Sequence, residues 1–150
     1  MAHESAITKI VVGVDGSDAS LEALRQAQEL ADPFNAQIEA IACWEFPQMY
    51  DGYVLVGIEG FQESAAKILN QSVERVYGPE TPRNVKTSLV QGNPKSSLIK
   101  ASENADMLIV GRRGRGAFSG LHLGSVSSAC IAHAKCPVLV VHAPETGTKD

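Results

Sequence analysis

The sequence predicts an α/β fold: a single open five-stranded parallel sheet, order 3-2-1-4-5, with helices on both faces. Three observations predict it. Short apolar runs of strand length alternate with stretches of helical periodicity in the pattern βαβαβαβαβ. One run, DMLIVG (106–111), is continuously apolar, as a strand buried on both faces should be. Composition is 44% hydrophobic but only 5% aromatic, so the core must come from Ala, Val, Ile and Leu. That mixture suits buried parallel strands flanked by helices.

Each element can be justified in turn. ITKIVVGV (7–14) is a β-branched run that ends at the turn signal Asp15-Gly16-Ser17. Ser17 or Asp18 can cap the helix that follows; its apolar face is Leu21, Leu24, Ala27 and Ala31, and Asp32-Pro33 ends it. AQIEAIACW (36–44) reads as the second strand. Residues 45–60 lack a clear period and read as a loop over one edge. A second helix places Phe61, Ala65, Ile68, Leu69, Ser72, Val73 and Val76 on one face and stops at Gly78-Pro79. NVKTSLVQG (84–92) alternates as a strand, and Asn93-Pro94 opens a third helix to about Asn104. Beyond strand four, a helix from about Ser125 to Ala134 leads into the last strand, CPVLVVHA.

Length and charge bound the function. At 150 residues the chain fits one domain, with a polar tail from about residue 144. A net charge of −4 argues against a general nucleic-acid binder. The charge is uneven: residues 1–110 hold 8 basic and 15 acidic side chains, residues 111–150 hold 5 and 2. Cys43, Cys130 and Cys136 form no CxxC pair, which fits a reduced compartment. No apolar run approaches the ~18 residues of a membrane helix, and MAHESAITK lacks a signal-peptide core. The expected location is the cytoplasm, away from membranes and nucleic acid.

In the predicted order the chain reverses direction between strands one and four, and a crevice opens at their carboxyl ends. Asp15 and the stretch GRRGRGAFSGLHLGSVSSA (111–129) fall there. Glycine permits positive φ and close approach of a ligand to the backbone. Gly124 immediately precedes a helix whose first amides lack intrahelical acceptors, a ready anion site. Arg112, Arg113 and Arg115 add positive charge. The glycines match neither G-x-x-x-x-G-K-[ST] nor G-x-G-x-x-G. VDGSDAS (14–20) differs in order from the S-G-G-x-D-S loop of ATP pyrophosphatases.

The spacing Gly111-x2-Gly114-x9-Gly124-Ser125, with IVVGVDGSDAS at the start and LVQGNP in the middle, resembles the ATP-binding branch of the universal stress protein family. The resemblance spans nearly the whole chain. It implies a Rossmann-like nucleotide-binding fold and a bound ATP, AMP or cyclic AMP. By that resemblance Gly13, Val14 and Asp15 line the nucleotide's edge, with Asp15 near the ribose or a phosphate-bound Mg²⁺. Cys43 matches a position whose backbone recognises adenine. Val110 and Gly111 lie under base and ribose, and Arg113, Gly114, Gly124, Ser125 and Val126 surround the phosphates. Arg112 departs from the small hydroxyl residue usual in relatives, and Cys43 from Val or Ala.

Plainer readings stand beside these. The glycine loop could be a flexible connector, the arginines a solvated face, and Asp15 a turn or capping residue. His122, His133 and His142 show no metal-ligand spacing, and Cys130 falls on an apolar helix face as core packing. No catalytic set is evident, since Asp15 is the only obvious carboxylate in the site. The last strand is an apolar edge without a protecting charge, which invites a homodimer through residues 137–142, as the family resemblance also implies. The expected role is a nucleotide-dependent stress-response regulator. The alternatives are a slow ATPase on the same fold and a dimeric interaction module with a vestigial nucleotide site.

Overall fold

The computed structural model describes residues 7–45, 58–113 and 123–144. Its elements run β1 (Lys9–Gly13), α1 (Asp18–Ala31), β2 (Gln37–Trp44), α2 (Ile58–Tyr77), β3 (Val85–Gln91), α3 (Pro94–Ser102), β4 (Met107–Gly111), α4 (Ser125–His133) and β5 (Val138–Val141). The strands form one sheet in the order β3-β2-β1-β4-β5. Every neighbouring pair is parallel. The predicted topology is the observed one.

Alternation along the central strands divides the core into two layers. Ile10 and Val12 of β1, Val14 just beyond it and Ile109 of β4 pack with Leu24 and Ala27 of α1 and Leu69 and Val73 of α2. Val11, Leu108 and Val110 face the other way and meet Leu98 of α3 and Cys130 of α4. One helix pair thus covers each face. Burying β1 and β4 on both sides requires the uninterrupted apolar runs seen in their sequences. Tyr77 locks the first layer by donating its hydroxyl to the Leu24 carbonyl at 2.5 Å.

Several element boundaries differ from expectation. Asp32-Pro33 does not stop α1 outright; the chain continues as one 3-10 turn, Asp32–Phe34, and stops at Asn35 in the left-handed region with φ 53°. Pro33 is tolerated because it sits in the first turn of that short helix, where its missing N–H is not needed. α2 begins at Ile58, inside the stretch read as loop, while residues 46–57 lie outside the described residues. Ala65, Leu69, Ser72 and Val73 take the buried face as predicted, but Phe61 is 36% exposed. It lies one turn too early to reach the sheet.

At the end opposite the crevice, Asp106 straps β1 to β4. Its Oδ2 accepts from Thr8 N–H (2.8 Å), Thr8 Oγ1–H (2.8 Å) and Lys9 N–H (3.0 Å). The Asp106 N–H returns a bond to the Lys9 carbonyl at 2.8 Å. The bonds from Thr8 and Lys9 hold the Asp106 carboxyl below the usual carboxylate range.

Candidate functional site

β1 and β4 lie side by side, yet the helices that follow them go to opposite faces, so the chain parts in two directions beyond their carboxyl ends. Three of the helices that start at this edge have described N-caps, which differ in one respect. In α1, Ser17 Oγ accepts from Ser20 N–H at 3.1 Å. In α3, Asn93 Oδ1 accepts from Lys95 N–H at 2.8 Å and Ser96 N–H at 3.4 Å. The N-cap of α4 is Gly124, with φ −79° and ψ 172°, which has no side chain to do this. Among the described residues no side chain caps the first amides of α4, and an anion is a natural acceptor for such amides.

The N-terminus of α4 is held in place by a single peptide. The Arg112 carbonyl accepts from Gly124 N–H at 2.8 Å and from Ser127 Oγ–H at 2.7 Å. The Arg112 N–H donates to the Val141 carbonyl at 2.7 Å, extending the β4–β5 ladder. The end of β4 and the start of α4 are thus joined at one fixed point. Ser127 was not singled out from the sequence. Its position three residues after Gly124, on the side of α4 that turns toward β4, is the signal that could have found it.

The glycines act differently from expectation. Positive φ among the described glycines occurs at Gly16, Gly78 and Gly92, not at Gly111 or Gly124. Gly111 is needed for close approach: a Cβ there would lie 2.6 Å from Ala19 Cβ and 3.0 Å from the Ala19 carbonyl carbon. The start of α1 rests directly on the end of β4. Gly13 does the same for the other face, where a Cβ would meet Leu98 Cδ1 of α3 at 2.8 Å. Gly114, with Arg115 and His122, lies outside the described residues.

Asp15 is exposed at the crevice, and its Oδ1 accepts from Ser17 N–H at 2.9 Å. It shapes the turn that launches α1. Val14 and Val110 are 5% and 3% exposed, their side chains in opposite core layers, so each can offer a ligand only backbone. Ser125 is exposed, while Val126 and Arg113 are half-buried.

Cys43 closes the crevice on the β2 side. The β1–β2 ladder ends at the pair Gly13–Ile41, sealed by Val14 N–H donating to the Ile41 carbonyl at 2.8 Å. β2 continues to Trp44 along β3. Peptide groups alternate sides along a strand, so those of Cys43 point the same way as those of Ile41, beyond the last rung with β1. Burial holds the Cys43 thiol above its ordinary range, with a hydrogen bond from Ser97 pulling it back. Among the described residues no cluster of three or more His, Cys, Asp or Glu could hold a metal ion. No described helix is long and apolar enough to cross a membrane.

The model of the universal stress protein family matches residues 6–142. A universal stress protein of Methanocaldococcus jannaschii is 32% identical over 152 residues, covering 95% of this chain and 86% of its own length. A solved universal stress protein in complex with cAMP is 27% identical, with a TM-score of 0.70 over 93% of this chain and 99% of that one. A universal stress protein family protein from Arabidopsis thaliana with AMP bound shares the fold at 21% identity and a TM-score of 0.61, over 95% and 96% of the two chains. The family match over nearly the whole length and the relative above 30% identity agree with the topology: this chain belongs to the universal stress protein family.

Proposed function

We propose that this chain binds an adenine nucleotide in the crevice between β1 and β4 and acts as a nucleotide-dependent stress-response regulator. The observation that carries the reading is the α4 N-terminus, which has no side-chain cap and follows β4 at the sheet edge where β4 neighbours β1. The Gly111-x2-Gly114-x9-Gly124-Ser125 spacing and the relative in complex with cAMP support an adenine nucleotide there. In this reading the amides of Ser125 and Val126, with Arg113 and Gly114, take the phosphates. Gly13, Val14 and Asp15 border the sugar, Val110 and Gly111 underlie it, and the Cys43 peptide meets the base. ATP is the first candidate, with Mg²⁺ near Asp15; AMP and cyclic AMP fit the same frame.

The edge position of β5 supports a homodimer through residues 137–142, because Val138, Leu139 and Val140 remain only half-buried there. Three unpaired cysteines fit a cytoplasmic setting. The test is to denature the purified protein, separate what it releases and identify it by mass, then titrate the emptied protein with ATP, AMP and cyclic AMP by calorimetry. Release or micromolar binding of any of the three is the expected result. A protein that releases nothing and binds none of them, with or without Mg²⁺, leaves the interaction module as the better reading.

A further inference from the structure

β3 is an outer strand of the sheet, and among the described residues no strand pairs with its far side. The bonds at its two ends show which peptides point outward. Ile38 N–H donates to the Asn84 carbonyl at 2.7 Å, and Gly92 N–H donates to the Trp44 carbonyl at 2.8 Å. Peptides alternate along a strand, so the even-numbered residues between those ends face β2, while Thr87 and Leu89 present N–H and C=O outward. The two sheet edges differ in their surroundings. β5 is apolar throughout, whereas β3 runs beside a groove of about 470 Å³. Val73 of α2 and Val85 of β3 are buried and form its floor. Asn70, Glu74, Thr81 and Thr87 line it and are exposed, so its outer side is open to water.

The charge in this groove has one sign. Among the described residues Glu74 is the one charged side chain that lines it, and no described residue forms an ion pair with it. It stands in the last turn of α2, whose carbonyl end already carries partial negative charge. Arg75 and Arg83 do not line the groove, and strand alternation sends the Lys86 side chain to the opposite face, where Glu39 lies. We propose that the β3 edge docks an extended basic segment of a partner protein as an added strand, with a lysine or arginine side chain meeting Glu74 in the groove. Paired strands place facing side chains on the same face, so the residue opposite Thr87 points into the groove whichever way the segment runs. Main-chain bonds supply the affinity and the groove supplies the selectivity. A free small amine would keep most of its surface in water in so open a groove, whereas an added strand closes the open side. Val85 and Thr87 begin β3, at the end of the sheet away from the crevice, so this surface is independent of the nucleotide reading.

The test titrates the whole protein with the acetylated, amidated peptide TVKVT, its counterpart TVEVT and free lysine amide, followed by amide NMR. TVKVT should bind about fivefold more tightly than TVEVT and shift the Thr87 and Leu89 amide signals. Glu74→Lys should reverse that preference. Thr87→Pro, tolerated where the strand N–H faces outward, should abolish TVKVT binding while thermal melts show a folded protein. Should Thr87→Pro fail to fold, the Glu74→Lys reversal decides alone. Lysine amide that binds as tightly as TVKVT overturns the proposal, because the groove is then a small-amine site. A preference for TVKVT that survives Glu74→Lys overturns it, as does a folded Thr87→Pro protein that still binds the peptide. So does a wild type that fails to bind TVKVT at millimolar concentration.

Discussion

At the scale of single residues, the two glycines that end the central strands do related work at different cost. Gly111 faces the rigid first turn of α1, with Ala19 Cβ and main-chain carbon as its neighbours. Gly13 faces Leu98 Cδ1, the far end of a side chain that can turn aside. Gly111→Ala should therefore lose about 1–3 kcal/mol, because α1 has to back away as a body. Gly13→Ala should lose under about 1 kcal/mol, the order of a strained rotamer. Urea unfolding of both variants checks this, and equal losses would rule out the contact with Ala19 as the cause. Moving α1 also displaces the Asp15 turn, so Gly111→Ala should weaken nucleotide binding as well. The sequence singled out both positions as candidates for the site but not the packing reason for glycine there. Spacing reveals that a side chain is missing; only the packed helices reveal what it would have struck. Ser127 was illegible for the same reason, since a hydroxyl's partner across the fold leaves no periodic trace.

Elements were legible where period and capping agreed. Ser17 and Asn93 both cap the helices that their neighbours in sequence announced. Boundaries slipped where a local signal competed with packing, as at Pro33 and at the start of α2. The most informative helix is α4, since it departs from that rule. Short serine and asparagine side chains finish the other two described N-termini, and glycine leaves this one open. Its extended backbone, φ −79° and ψ 172°, suits any residue, so Gly124→Asp is a clean way to fill the cap. An aspartate there should accept the first-turn amides itself, stabilising the fold by a few tenths of a kcal/mol. It should also repel phosphate and occupy the same donors, lowering ATP affinity by about tenfold or more. Thermal melts paired with calorimetry read both quantities. Unchanged ATP affinity in a folded Gly124→Asp protein would mean that the phosphates do not sit at this helix.

Across the whole molecule, strand order was legible because few arrangements bury an all-apolar β4 on both faces while obeying right-handed crossovers. The end of the β1–β4 pair opposite the crevice is tied by a side chain. Asp106 provides the tie, taking three donors from Thr8 and Lys9. Those bonds lower its folded-state pKa, so its contribution is fully present above the ordinary aspartate value of about 3.9. It is lost as the pH falls through the lowered folded value. Asp106→Asn keeps the shape and removes the charge that strengthens the bonds. The variant should be less stable than the wild type at pH 7, and the gap should shrink below about pH 4 as the wild-type carboxylate is protonated. Denaturant unfolding of the two proteins across that range isolates this carboxylate, because the other acidic groups are common to both. A gap that stays constant down to the lowest pH would show that the strap works through shape alone, without its charge.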